Sequence, residues 1–146
     1  MADIDVDVRW AGTGLEFVAR GRAGREVLID GDTRSSVSPV ETLAIALATC
    51  MAADIVDIAG KMRLTIGSLD VKASGMRNPE PPRRYLSMKV GFAVGGVSDE
   101  DAPKLERALD LSREKYCSVL HTLRPDLAVE FELVRTARTR EMAGGA

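Results

Sequence analysis

The sequence predicts an α+β domain. Three observations carry that reading. Short alternating runs separated by glycine-rich turns open the chain, which is strand chemistry. One long apolar segment with a helix-start signal follows. Two further strand-like runs, a second helix and a last alternating run complete the chain.

Residues 3–10 set Ile4, Val6 and Val8 against Asp3, Asp5 and Asp7, the pattern of a half-buried strand. Ala11-Gly12-Thr13-Gly14 is a turn signal, and residues 15–19 read as the returning strand of a hairpin. Gly21-Arg22-Ala23-Gly24 is a second turn, followed by a third strand over 26–29 that Asp30-Gly31-Asp32 ends. Ser38 opens the longest helix. It has capping-box spacing with Glu41, and Pro39 stands at the first helical position. The helix is expected to reach about residue 62. It is apolar on nearly every side as far as Cys50, which marks a buried central helix, beneath a sheet or inside a dimer. Asp54, Asp57 and Lys61 form a late polar stripe in which Asp57 and Lys61 are an i,i+4 pair.

Strands are expected over 69–76 and 85–94. The linker between them holds Pro79, Pro81 and Pro82, which cannot donate to a sheet ladder. Ser98 caps a second helix with acidic residues in its first turn. Leu105, Ala108 and Leu109 carry its helical spacing, and it extends with a kink through Leu123. Arg124-Pro125-Asp126 ends it, and residues 127–134 form the last strand. One domain is expected over 1–136. Residues 137–146 have little to bury and read as a frayed tail.

Composition narrows the function. The chain of 146 residues is 45% hydrophobic and 29% charged, as a globular protein is. A net charge of −2 argues against general nucleic-acid binding. One Trp, two Tyr and three Phe make no stacking platform for bases. The acidic opening Met1-Ala2-Asp3-Ile4-Asp5 is unlike a secretory signal. Glu41, Asp54 and Asp57 interrupt the apolar segment, and a carboxylate at a bilayer centre costs about 2–3 kcal/mol, so no membrane span is expected. A reducing cytoplasm is the expected compartment. A disulfide there is transient and catalytic rather than structural.

Two cysteines stand in the chain, Cys50 and Cys117, both in segments that read as apolar helix. They are far apart in sequence and form no Cys-x-x-Cys pair. The residues alone leave two readings open: a two-thiol redox site, or two small apolar core residues. His121 is the only histidine. A metal site of Cys50, Cys117 and His121 would have three ligands and no metal-binding spacing, so no metal and no cofactor is expected.

The run from Ser38-Pro39-Val40-Glu41-Thr42-Leu43 through Ala48-Thr49-Cys50 to Asp54-Ile55-Val56 resembles the OsmC/Ohr family (osmotically inducible protein C and organic hydroperoxide resistance proteins). So does Tyr116-Cys117-Ser118-Val119 with His121-Thr122-Leu123. The resemblance implies an OsmC-like fold, with antiparallel sheets around the long central helix, and an intertwined homodimer. It implies a thiol-dependent peroxidase that reduces organic hydroperoxides, with Cys50 as the peroxidatic and Cys117 as the resolving thiol. An unidentified thiol reductant would complete the cycle. Neither nucleic acid nor membrane is an expected partner. The family also uses an Arg before the helix. Arg34 is the nearest candidate, ahead of Arg25, Arg22 and Arg20. Glu41 would orient that Arg, besides closing the capping box. His121 would tune Cys117 or hydrogen-bond at the helix end. Two positions depart from the peroxidase branches. Val40 stands where they have Glu, and Ser118 where they have Pro. The alternative is an OsmC-like protein of non-peroxidase function, binding a small apolar or electrophilic ligand at the dimer interface.

Overall fold

The structure is a computed structural model that describes residues 2–137. The tail expected over 137–146 therefore lies, beyond Ala137, outside the described residues. The chain divides into two compact units, residues 1–44 and 45–146.

The first unit is an antiparallel sheet of β1 (Asp7–Trp10), β2 (Glu16–Arg20) and β3 (Glu26–Asp30), in that order. The expected hairpin is present, with Trp10 opposite Phe17 and Asp7 opposite Arg20. Pairing stops at Asp7, because β2 ends at Arg20 and the chain turns away through Gly21–Gly24. The half-buried strand expected over 3–10 is corrected: all four residues of β1 are exposed in the single chain. Trp10 donates its indole N–H to the carbonyl of Gly14 (3.1 Å), closing the turn.

Asp30 ends β3 and is almost completely buried. One carboxylate oxygen accepts the N–H of Asp32 (2.9 Å). The other accepts the N–H groups of Arg34 and Ser35 and the Ser35 hydroxyl (2.9, 3.0 and 3.1 Å). The Ser35 N–H above all, with that of Asp32, holds this carboxyl below its ordinary range. The loop leading to the long helix is therefore wound around one carboxylate.

Helix α1 (Pro39–Lys61) begins in this unit and continues into the second. Its start is the capping box read from the sequence. Ser38 Oγ accepts the N–H of Glu41 (3.1 Å), and Glu41 Oε2 accepts the N–H of Ser38 (2.7 Å). Asp57 and Lys61 form the expected ion pair at 2.9 Å.

In the second unit Leu47, Met51, Ile55 and Ile58 recur at helical spacing and are buried along one face of α1. Ile45 and Val56, on the other side of the helix, and Leu43, one turn before Leu47, stay exposed. Burial of the central helix is thus one-sided in the single chain. By length and composition alone α1 could cross a membrane. One face of it is buried, at Leu47, Met51, Ile55 and Ile58.

The second sheet has the order β4 (Ser68–Arg77), β5 (Tyr85–Gly95), β6 (Ala128–Thr136). β5 is central, and its alternate residues Met88, Val90, Phe92 and Val94 are buried. β4 pairs with it antiparallel, from Ser68 opposite Gly95 to Arg77 opposite Tyr85. Gly75 is required there, because a Cβ would sit 2.6 Å from the Tyr85 ring. β6 departs from the expected antiparallel pattern. It runs parallel to β5, Ser87 opposite Ala128. The helical segment between the two strands is the crossover that a parallel pair requires.

That segment starts with α2 (Ala102–Leu111), which buries Leu105, Ala108 and Leu109. The expected cap at Ser98 organises the preceding turn, accepting the N–H of Asp101 (3.2 Å). α2 then widens into a π-helical turn (Ser112–Tyr116), breaks at Cys117, and resumes as α3 (Ser118–Thr122). The expected kink is this break.

Candidate functional site

The long helix supplies two side chains to one point. Cys50 and Asp54 stand four residues apart on α1, hence on one face, and both are half-buried. The broken helix supplies the third. Cys117 Sγ, Cys50 Sγ and a carboxylate oxygen of Asp54 all lie within 4.8 Å of one another.

The wide turn determines where Cys117 sits. Its N–H bonds back to the carbonyl of Ser112 (2.9 Å), closing the π-helical turn, and its backbone is extended (φ −69°, ψ 101°). Cys117 is therefore the N-cap of α3, and its sulfur accepts the N–H of Leu120 (3.4 Å). Single π turns inside helices occur frequently at functional sites. Ser112, which opens the turn, is fully buried and donates its hydroxyl to Asp54 Oδ2 (2.9 Å). That bond joins the two helical segments at the site.

The two thiols differ in environment. Cys117 is fully buried and Cys50 half-exposed. Burial pushes the Cys117 thiol up to about 11, helped by the nearby Cys50 sulfur and the Asp54 charge, while the Leu120 N–H acts in the opposite sense. Cys117 thus keeps its proton at neutral pH. Of the two residues, Cys50 is the one only partly buried.

The side chains of His121, Arg113, Glu41 and Arg20 have partners of their own. His121 Nδ1 lies 2.7 Å from the carbonyl oxygen of Cys117, and Nε2 lies 3.2 Å from that of Glu114. The imidazole lies against the backbone of the wide turn. Arg113 pairs with Asp110 (3.2 Å) and sits over the Phe131 ring. Glu41 is engaged in the capping box, and Arg20 pairs with Glu26 (2.8 Å). Arg34 is exposed, and its backbone N–H serves Asp30. Sequence reasoning missed Asp54 as a neighbour of the thiols, although its spacing from Cys50 carried the signal. Ser112 had none.

A chain that folds as α+β and brings two sequence-distant cysteines together from two helical segments is a two-thiol protein. It belongs to the OsmC-like protein family, whose model matches residues 31–132. It is similar to protein YhfA of Escherichia coli K12, 37% identical over 113 residues that make up 77% of this chain and 83% of that one. Solved structures share the fold at lower identity. The OsmC-like protein from Mycoplasma pneumoniae is 16% identical with a TM-score of 0.75, over 92% of this chain and 97% of that one. The organic hydroperoxide resistance protein OhrB of Bacillus subtilis is 16% identical with a TM-score of 0.59, over 90% and 98%.

The asymmetry of the thiols has a direct consequence. In Cys50→Ser, burial, the largest cause of the shift, remains. Cys117 alkylation by iodoacetamide is then expected to stay slow at pH 8 and to rise only well above pH 9. A Cys117 rate profile centred near pH 8.5, about that of a free cysteine, would contradict the buried environment.

Proposed function

We propose that this protein is a thiol-dependent peroxidase that reduces organic hydroperoxides, with Cys50 as peroxidatic and Cys117 as resolving cysteine. The observation that supports this reading is the meeting of the two sulfurs within 4.8 Å, one from a half-buried residue and one from a buried one. The thiolate of Cys50 attacks the outer peroxide oxygen, the O–O bond breaks, and the alcohol leaves with a proton. Cys50 is then a sulfenic acid. The sulfur of Cys117 attacks it, the S–O bond breaks, and the Cys117 proton leaves with the hydroxide as water. The resulting disulfide is reopened by an external thiol reductant, in a reducing cytoplasm. Arg34 is the proposed source of positive charge for the Cys50 thiolate, with Glu41 orienting it. Guanidinium suits that task because it stays charged at every working pH.

A second reading is favoured by specific residues. Val40 and Ser118 depart from the peroxidase pattern. Sequence identity is 37% to YhfA but 16% to OhrB. On that reading the site binds a small apolar or electrophilic ligand and performs no turnover.

Both readings include a homodimer. The exposed Leu43, Ile45 and Val56 on a helix that is otherwise a core element support it, as do Val6, Val8 and Trp10 at the first strand. Apolar area of this kind on a small chain marks an interaction surface.

One equivalent of cumene hydroperoxide is expected to remove two titratable thiols per chain and to join the peptides carrying Cys50 and Cys117 within one chain. In Cys117→Ser the same treatment leaves a sulfenic acid on Cys50 that dimedone traps. Full thiol titre after peroxide, with folded protein, selects the second reading. Sedimentation at low micromolar concentration is expected to give one species near twice 15.7 kDa. A folded monomer at that concentration would contradict the dimer.

A further inference from the structure

We propose that the reduced site is also a binding site for a thiophilic divalent cation, zinc(II), held by Cys50, Asp54 and Cys117. The proposal stands on the reduced geometry and does not depend on peroxidase turnover.

Two sulfurs and one carboxylate oxygen converge within 4.8 Å of one another. Zinc takes sulfur at about 2.3 Å and carboxylate oxygen at about 2.0–2.2 Å, so tetrahedral ligands lie roughly 3.5–3.8 Å apart. The donors come from two segments. α1 presents Cys50 and Asp54 one helical turn apart, and the N-cap of α3 presents Cys117. Three protein ligands leave a fourth position for water, the open arrangement of reactive zinc sites. Thiolate donors select zinc over magnesium and calcium, which prefer all-oxygen sets.

The surroundings of the donors are those of a supported metal site. Ser112, itself fully buried, holds Asp54 Oδ2 at 2.9 Å and so orients the carboxylate. The Leu120 N–H points at Cys117 Sγ (3.4 Å), a contact that favours the thiolate. Lys61 and Arg113, basic residues near the two segments in sequence, are paired with Asp57 and Asp110. His121 meets backbone carbonyls. The half-exposure of Cys50 and Asp54 gives an ion its way in. Of the grouping suggested by the sequence, the two cysteines remain, and Asp54 takes the third place in the position of His121.

Binding exchanges protons for metal: two thiols and one zinc(II) give a zinc dithiolate and two protons. Oxidation of the same sulfurs to a disulfide removes two of the three donors. Metal and disulfide therefore exclude each other, and the ion would shield the thiols until an oxidant displaces it.

The test uses full-length, reduced protein titrated with cobalt(II) and then zinc(II). A thiolate-to-cobalt charge-transfer band is expected to saturate at one equivalent per chain and to be bleached by zinc but not by excess magnesium. One equivalent of zinc should also protect both cysteines from alkylation. Asp54→Asn, nearly isosteric and checked for folding by circular dichroism, should weaken zinc binding at least tenfold with both thiols intact. Ser112→Ala should weaken it by about tenfold. The disulfide form should bind none. No charge-transfer band at one equivalent, saturation at half an equivalent per chain, or unchanged affinity in Asp54→Asn would each overturn the proposal. None of these readouts involves peroxide, so failure of the peroxidase reading would leave this result standing, and the reverse.

Discussion

The hydrogen bond from the Ser112 hydroxyl to Asp54 Oδ2 is the interaction on which the site depends. It spans 58 positions of sequence and links the long helix to the start of the wide turn. Both ends are constrained. Ser112 is fully buried and so requires a partner, and losing one leaves a desolvated group at a cost of about 1–3 kcal/mol. The π-helical turn that Ser112 opens also closes on its carbonyl, through the Cys117 N–H. One residue thus orients the carboxylate through its side chain and places the second cysteine through its backbone. The two ring nitrogens of His121 lie near the carbonyl oxygens of Cys117 and Glu114, against that turn.

From this constraint follows a division of labour between two chemically identical side chains. Cys117 is enclosed, short of solvent and near two groups that disfavour its anion, so it stays a thiol. Cys50 is only half-buried. On the proposed reading Cys50 is the sulfur that meets substrate and Cys117 the one that closes the disulfide. The same three donors, stripped of protons, make a set suited to a soft cation. The carboxylate is the element that separates this site from a bare cysteine pair.

Much of the architecture was readable in the sequence where local chemistry determines it. Ser38, Pro39 and Glu41 encode the helix start in four residues, and the structure uses every one of those signals. The alternation through β5 encodes its buried face, because a two-residue period admits only one such face. Features determined by distant partners were not readable. The parallel pairing of β6 depends on where the crossover helices deliver the chain. The exposure of β1 and of one side of α1 depends on which elements pack against them, and local alternation does not say. At the site, the residues alone could not separate a redox pair from two core cysteines, and the family resemblance selected the pair. Asp54 read as one member of a solvent stripe. Only the fold shows that it turns towards the sulfurs while Asp57, three residues on, pairs with Lys61 at the surface.

The central claim is that the two sulfurs are neighbours within one reduced chain. Dibromobimane, which becomes fluorescent only when both of its arms alkylate nearby thiols, measures this directly. Reduced protein treated with one equivalent per chain should become fluorescent, and digestion should recover the Cys50 and Cys117 peptides joined. Mixing isotopically heavy and light chains should show the joined peptides to be of one isotope only. Single alkylation at Cys50 with no bridge, or bridges between heavy and light chains, would contradict the account.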